Sequence, residues 1–175
     1  MARRTRIQSA PSNVEDPIVA DYLIQIADAI NLIKAPDPSY GGMFEEEDTP
    51  ELAIGTTPVI FNRFSSLLTG TEDISTNTVS GIITVGSWGT YDIAFSSSFT
   101  GSANIELNMY VYQSGTKTNI GSHRGTTAQT AGNMGIAPTM LSITSGDTLA
   151  VYVNADGDGK VITNIDGQFT IRRID

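Results

Sequence analysis

Apolar and polar side chains alternate over Thr90–Phe99, and this alternation constrains the fold more than any other feature of the chain. Side chains two residues apart lie on the same face of an extended strand. One face carries Tyr91, Ile93, Phe95, Ser97 and Phe99, and the other carries Asp92, Ala94, Ser96 and Ser98. The pattern predicts a β-strand that buries its aromatic face in a core.

Similar runs recur through residues 56–175, which are rich in Thr, Ser and Gly, and Gly-Ser, Ser-Gly and Gly-Asp pairs mark turns between them. About eight strands are predicted: Thr57–Phe61, Ile82–Val85, Thr90–Phe99, Asn104–Gln113, Thr116–Arg124, Ile136–Ile143, Thr148–Asn154 and Gln168–Ile174. Turns at this spacing predict a mainly β domain, an antiparallel jelly-roll sandwich preceded by one N-terminal α-helix.

The helix is predicted from a capping Asp16 and a Pro17 at the first helical position, and it should end near Lys34, before Pro36 and Pro38. Its apolar residues follow the spacing of a coiled-coil seam. They are Val19, Leu23, Ile26, Ile30 and Ile33. Isoleucine at d positions favours three or four strands. About two and a half heptads leave open both a trimer-forming helix and a helix packed on its own domain.

Charge divides the chain into three predicted segments. The formal charge of −9 is made up of −1 in residues 1–40, −5 in 41–55 and −3 in 56–175. The first segment starts with a basic arm, Arg3, Arg4 and Arg6, which is either a solvated tail or a segment that docks on an acidic surface. The run from Glu45 to Asp48, with Glu51, predicts an acidic solvated linker over 41–55. Residues 56–175 form the jelly-roll domain.

Composition excludes several classes of protein. The chain has no cysteine, which excludes a disulfide scaffold, thiol catalysis and a cysteine-ligated metal. A pI near 4.4 argues against nucleic-acid binding. Apolar runs are too short for membrane insertion, and the charged N-terminus lacks the apolar core of a secretory signal.

Few residues could carry chemistry. His123 is the only histidine, and no nucleophile motif accompanies it. The run Asp156–Lys160 resembles the start of a calcium loop without its distal glutamate, so a tight turn is favoured and a weak calcium site stays open. Trp88 is either a core anchor or an exposed binding aromatic, and burial is favoured. We therefore predict that the chain is not an enzyme and has neither cofactor nor metal.

Three runs in the β region carry a resemblance to a known family. Ile82–Val85 followed by Gly89–Ser96 gives a strand and then Gly-x-Tyr-x-apolar-x-aromatic, and in Leu141–Val153 a Gly-Asp pair lies between two runs of alternating apolar residues. With Gln168–Ile171 as a last strand, this order resembles the tumour-necrosis-factor and complement-globular-head jelly-roll superfamily. The resemblance covers about residues 56–175. It implies a bell-shaped homotrimer with one sheet of each subunit facing the threefold axis. The family's disulfides and basic receptor loops are absent, so it implies no cytokine role.

The order of basic arm, heptad-like helix, hydrophilic neck and jelly roll resembles the layout of bacteriophage virion appendages. This resemblance implies a structural protein, a homotrimeric capsid decoration or head fibre protein attached by its N-terminus to the capsid or other virion proteins. It would assemble in the host cytoplasm and be exposed on the particle. We expect seven aromatic residues to divide between the core and the threefold interface: Tyr91, Phe95, Phe99, Tyr110, Tyr112, Tyr152 and Phe169.

The alternative function is a receptor- or glycan-binding tip of a phage tail fibre or spike. It would bind host-surface glycan through aromatic and polar side chains on loops far from the helix, such as Trp88 or the residues near His123. Neither function involves nucleic acid or membrane insertion.

Overall fold

The computed structural model describes residues 22–23, 25–26, 39–47, 49–71, 73–125 and 131–175. Contacts divide the chain into two units, Met1–Asp37 and Pro38–Asp175. In the first unit, Tyr22, Leu23, Gln25 and Ile26 are helical, and Leu23 and Ile26 are exposed. The other predicted features of this unit lie outside the described residues: Val19, Ile30, Ile33, Arg3, Arg4 and Arg6.

The second unit is built from strands whose residues alternate between a buried and a solvent-facing side. Twelve strands lie in the described ranges. They are β1 Tyr40–Glu45, β2 Leu52–Ile54, β3 Val59–Ile60, β4 Ser66–Leu68, β5 Ile74–Asn77, β6 Ile82–Val85, β7 Gly89–Gly101, β8 Glu106–Gln113, β9 Thr116–Gly125, β10 Ala131–Ile143, β11 Thr148–Ala155 and β12 Lys160–Arg173. Eight strands were predicted; β1, β2, β4 and β5 are additional.

The strands form two antiparallel sheets, which confirms the predicted mainly β sandwich. Sheet A has the order β10-β7-β12-β1-β4, with β2 also paired to β12. Sheet B has the order β5-β6-β11-β8-β9, with β3 also paired to β11. Only β5–β6 and β8–β9 are neighbours both in sequence and in a sheet among these strands, because the chain repeatedly crosses between the sheets, as in a jelly roll.

The core lies between the sheets and follows the alternation read from the sequence. Ile105, Leu107, Met109 and Val111 point inward from the β8 region, and Leu149, Val151 and Val153 point inward from β11. Phe95 is at the centre, with its ring edge-on to Phe61 at 5.2 Å and to Phe169 at 6.3 Å between centroids. Such pairs add packing energy to the apolar area that they bury.

The prediction of an acidic solvated linker over 41–55 is corrected by the structure, because this segment contains β2 and all of β1 after Tyr40. Strand β1 lies inside sheet A between β12 and β4. Glycine is needed there, since a Cβ on Gly42 would stand 2.7 Å from the carbonyl oxygen of Phe169. Glu45 ends the strand and is only 2% exposed. Its Oε1 accepts hydrogen bonds from the backbone N–H groups of Glu46 and Glu47 and from the Ser65 hydroxyl.

Candidate functional site

Four of the seven candidate interface aromatics belong to the sandwich core and not to a surface. Tyr91, Phe95, Phe99 and Phe169 are almost fully buried. The odd-numbered positions of β7 all point between the sheets, so the alternation that made these residues conspicuous also encloses them. Burial raises the pKa of the Tyr91 phenol, whose hydroxyl donates a hydrogen bond to the carbonyl of Ser87 at 3.0 Å.

The other three aromatics lie on the outer face of sheet B. Tyr110 and Tyr152 stand opposite each other across β8 and β11. The rings of Tyr112 and Tyr152 stack with centroids 4.0 Å apart, and the Lys117 ammonium lies 3.2 Å from the centre of the Tyr110 ring. We call Tyr110, Tyr112, Tyr152 and Lys117 the tyrosine cluster. Its rings are largely occupied by contacts with one another and with the lysine.

The outer face of sheet A differs in composition. Larger side chains such as Phe44 and Gln168 occupy some of its outward positions, but small residues occupy many others, which are Gly42, Ala94, Ser96, Ser98, Gly135 and Thr170. Larger apolar side chains flank them, with Met140 68% and Leu68 44% exposed. Arg172 pairs with Asp92 at 3.6 Å. We call this surface the sheet A face.

A hollow of about 460 Å³ opens on the sheet A face between β1, β7 and β12, beside Phe44, Ser96 and Gln168. The resemblance implied that one sheet faces the threefold axis, but the sequence did not indicate which of the two sheets it is. A signal for the sheet A face was nevertheless present, because the outward positions of β7 alternate with the buried ones and hold short side chains.

One end of the sandwich is held together by Asp73. Its Oδ2 accepts hydrogen bonds from the hydroxyls of Ser39 at 2.7 Å and Ser87 at 2.9 Å. These two hydroxyls lower the pKa of the Asp73 carboxyl. Ser39 is where the chain enters the β unit, and Ser87 lies in the connection between β6 and β7. The carboxylate therefore fixes these segments side by side.

Trp88 lies in that connection, Gly86–Gly89, which we call the Trp88 loop. The expectation that Trp88 is buried is wrong, because its side chain is 71% exposed. The guanidinium of Arg173 lies 5.9 Å from the ring centre. The loop turns here because its backbone is held by Asp73 and Ser145, which leaves the indole outside the core.

The Asp156–Lys160 run forms a bend between β11 and β12. Asp156 accepts a hydrogen bond from the N–H of Glu106, whereas Asp158 accepts from the N–H and hydroxyl of Thr56. The hydrogen bond from the Thr56 N–H is the main cause that lowers the pKa of the Asp158 carboxyl, and the bond from the Thr56 hydroxyl lowers this pKa further. The two carboxylates thus hold different segments. Within the described residues, no group of three acidic, histidine or cysteine side chains could hold a metal ion.

His123 lies in β9 opposite Asn108, and its side chain is outside what the structure describes. For the part of the chain that is described, no helix has the length and apolar character needed to cross a membrane.

Comparison with known proteins places the fold. No protein-family model matches the chain. No curated protein matches it either. Among solved structures, Eiger TNF from S. frugiperda matches with a TM-score of 0.50 and 8% identity, over 79% of this chain and 92% of that one. Murine APRIL matches with a TM-score of 0.54 and 9% identity, over 79% of this chain and 100% of that one. The chain therefore has a TNF-like jelly-roll fold.

Proposed function

We propose that the chain is a structural protein of a bacteriophage particle, a homotrimeric capsid decoration or head fibre protein without enzymatic activity. On this proposal it is assembled in the host cytoplasm, attached through its N-terminal unit and exposed on the particle surface. Its partners are two further copies of itself and proteins of the capsid or another part of the virion.

The homotrimer is proposed because of the small and apolar side chains exposed on the sheet A face. Its small side chains allow another protein surface to approach the backbone closely, and Met140 and Leu68 leave apolar area in water that a second copy would cover. Removing such area from water is favourable by about 25 cal/mol per Å². A closed ring of three copies lets every subunit cover this face in the same way. The TNF-like fold supports this arrangement, because the family resemblance implies a threefold axis beside one sheet.

The N-terminal unit supports attachment to a particle. Its first residues carry three arginines, which are suited to an acidic protein surface. Leu23 and Ile26 belong to the predicted seam, and both are exposed. A short amphipathic helix is marginal in isolation and gains stability from a partner surface. Either two further copies or a virion protein would supply that surface.

The alternative, a glycan-binding tip, requires aromatic side chains on loops remote from the N-terminal unit. Trp88 was one such candidate. The side chain of Trp88 is 71% exposed on the Trp88 loop, which is the observation that favours this alternative.

The test is a chain that lacks residues 1–37 and keeps Ser39. We expect the β unit of this variant to fold and to form an assembly of three chains in solution. The variant should no longer cosediment with shells that lack this protein. A full-length chain with Arg3, Arg4 and Arg6 changed to lysine keeps the charge and should still bind. Binding by the truncated chain at full strength would contradict attachment through the N-terminal unit.

A further inference from the structure

Two charged side chains near the end of β1 each bury a polar atom that has no hydrogen-bond partner. They are Oε2 of Glu45, a residue that is only 2% exposed, and Nε of Arg63. Most buried polar groups in folded proteins are hydrogen-bonded, and leaving one unpaired is most costly for a charged group. One of these atoms accepts a hydrogen bond and the other donates one. The two atoms therefore suit a group outside the chain that donates to Glu45 and accepts from Arg63.

The other oxygen of Glu45 is fixed by the protein. Oε1 accepts three hydrogen bonds, from the N–H groups of Glu46 and Glu47 and from the hydroxyl of Ser65. Turning the carboxylate to bring Oε2 to a donor within the chain would break these bonds. Oε2 therefore keeps its direction.

The guanidinium of Arg63 is held in a similar way. Its Nη1 donates to Oδ1 of Asn62 and its Nη2 to the carbonyl of Glu51, both at 2.8 Å. The carbonyl of Arg63 accepts from Nδ2 of Asn164 at 2.8 Å. Binding groups that the fold already holds in place lose little conformational freedom when a ligand pairs with them.

Glu45 and Arg63 line one hollow of about 240 Å³, together with Pro50 and Ser65. Glu45 comes two residues after the buried Met43, so its carboxylate is on the inward side of β1 and is directed to this hollow. The volume far exceeds the about 10–15 Å³ that one water molecule needs, and it is below the about 300–1,000 Å³ of sites for drug-sized ligands. A ligand group the size of one small ring suits this range.

The charges of the hollow argue against two kinds of ligand. Arg63 repels a metal ion or an ammonium group, and within the described residues no group of three acidic, histidine or cysteine side chains could hold a metal. Glu45 and Glu47, which both line the hollow, repel a phosphate or a carboxylate. A neutral ligand with hydroxyl groups meets neither obstacle, because each hydroxyl both donates and accepts a hydrogen bond.

We propose that this hollow binds one sugar ring of a glycan. One hydroxyl donates to Oε2 of Glu45, and a neighbouring hydroxyl accepts from Nε of Arg63. The exposed Pro50 offers apolar surface to the C–H face of the ring. This inference goes beyond the proposed function and does not depend on it, because the hollow lies within the β unit and attachment is assigned to the N-terminal unit.

The experiment titrates the full-length protein with the methyl glycosides of glucose, galactose, mannose and N-acetylglucosamine. Saturation-transfer NMR detects the bound sugar and gives its affinity. We expect at least one glycoside to bind, and Glu45→Gln and Arg63→Lys each to weaken that binding at least about fivefold. Each substitution removes one of the two polar atoms with which the sugar pairs.

Glu46→Gln is the matched control. It is the same change one residue along the chain, at an exposed carboxylate that is not part of the lining of this hollow. The backbone N–H of residue 46 still donates to Glu45 in this variant. We expect the affinity for the sugar to stay unchanged.

Urea titration separates effects on binding from effects on folding. A sugar that binds only the folded chain raises the unfolding midpoint. This rise should shrink in Glu45→Gln and Arg63→Lys and persist in Glu46→Gln. The two hollow variants change separate segments of the chain, so if one of them prevents folding, the other still decides the outcome.

Three results distinguish this inference from the proposed function. If none of the glycosides binds at about 100 mM, the inference is overturned. Equal binding by the unaltered protein, Glu45→Gln and Arg63→Lys would also overturn it, because the sugar would then bind elsewhere. Binding that depends on Glu45 and Arg63, in a protein that fails to bind shells, would support the inference and overturn the proposed function alone.

Discussion

The two outer surfaces of the sandwich meet solvent in different ways. On sheet B, the tyrosine cluster covers its own apolar area, because Tyr112 stacks on Tyr152 and Lys117 lies over Tyr110. The sheet A face has no such cover where Thr170 lies between Gly42 and Ala94, and the backbone there is close to the surface. One surface is completed by its own side chains, and the other leaves room for a second molecule.

The comparison shows what an alternating sequence specifies and what it leaves free. Both sheets bury their inward positions with large apolar side chains. The core does not fix the size of the outward side chains. Where these are large, as on sheet B, they pack on one another, and where they are small, as on sheet A, a second molecule can approach the backbone. Substitutions on the two faces should therefore have different effects, and the largest effect is expected on the sheet A face.

The largest effect is expected from Thr170→Arg, which places a long cation at the centre of the sheet A face. The unaltered protein should show by light scattering about three times the chain mass of 18.6 kDa. Thr170→Arg should reduce this to a single chain, because assembly would bury an unpaired charge.

Thr84→Arg is the matched control for that change. Thr84 is an outward threonine in β6 of sheet B, between Ser75 and Thr148. We expect it to leave the threefold mass intact. If both variants keep the same mass as the unaltered protein, the sheet A face is not the interface.

A smaller effect, on folding and not on assembly, is expected from Gly121→Ala under the tyrosine cluster. A Cβ there would collide with Cδ1 of Tyr110 and stand 2.7 Å from the carbonyl oxygen of Met109. We expect the free energy of unfolding to fall by about 1–3 kcal/mol, as for other overpacked sites. Urea titration would measure it, with Gly157→Ala as a control, since that Cβ would meet only Lys160 at 3.9 Å. Equal midpoints for both variants would contradict the packing of this cluster.

The smallest effect concerns pH, and it is expected at the ends of the sandwich and not on either face. The Ser114 hydroxyl, the Thr144 N–H and the Gln113 amide hold the pKa of Asp147 below its usual value. A carboxyl with a lowered pKa in the folded state stabilises the protein above about pH 4, and this contribution is lost as pH falls through the folded pKa. Asp147→Asn should therefore flatten the dependence of unfolding free energy on pH below about 4.

The same measurement between about pH 5 and 8 is its internal control, because Asp147 stays ionised in both states there. If the unfolding free energy of Asp147→Asn depends on pH below about 4 as steeply as that of the unaltered protein, other carboxylates cause the loss of stability in acid. Thr170→Arg and Gly121→Ala should leave the dependence of the unfolding free energy on pH unchanged. That result would show that this dependence arises at the ends of the sandwich and not on its two faces.

The long strands were predictable because their signal is local. Alternation over Thr90–Phe99 identified β7 and its buried face, and the same reasoning found β8 and β11. Strand β1 was missed because its signal depends on distant residues. Gly41 and Gly42 look like a flexible neck in sequence, but they let β1 approach Ile74 and Phe169.

The candidate site was less predictable for a similar reason. The aromatic residues were found, and their division between core and surface was expected, but their assignment needed the sheet pairing. The exposure of Trp88 depends on Asp73, Ser39 and Ser87, which come from three separate segments. No periodic pattern in the sequence connects them, so burial was the expected outcome.

The pairing of β1 with β12 has a mechanical consequence. Tyr40 lies opposite Arg172, and the six residue pairs from there to Glu45 and Gly167 run along the strand. A load applied at Ser39 and resisted at the far end of the sandwich pulls along β1, across hydrogen bonds that lie perpendicular to it. All of these bonds then share the load and must break together, whereas a peeling force would open them one at a time. A protein tethered at Ser39 would therefore resist drag through β1, although the sequence of β1 does not resemble that of a strand.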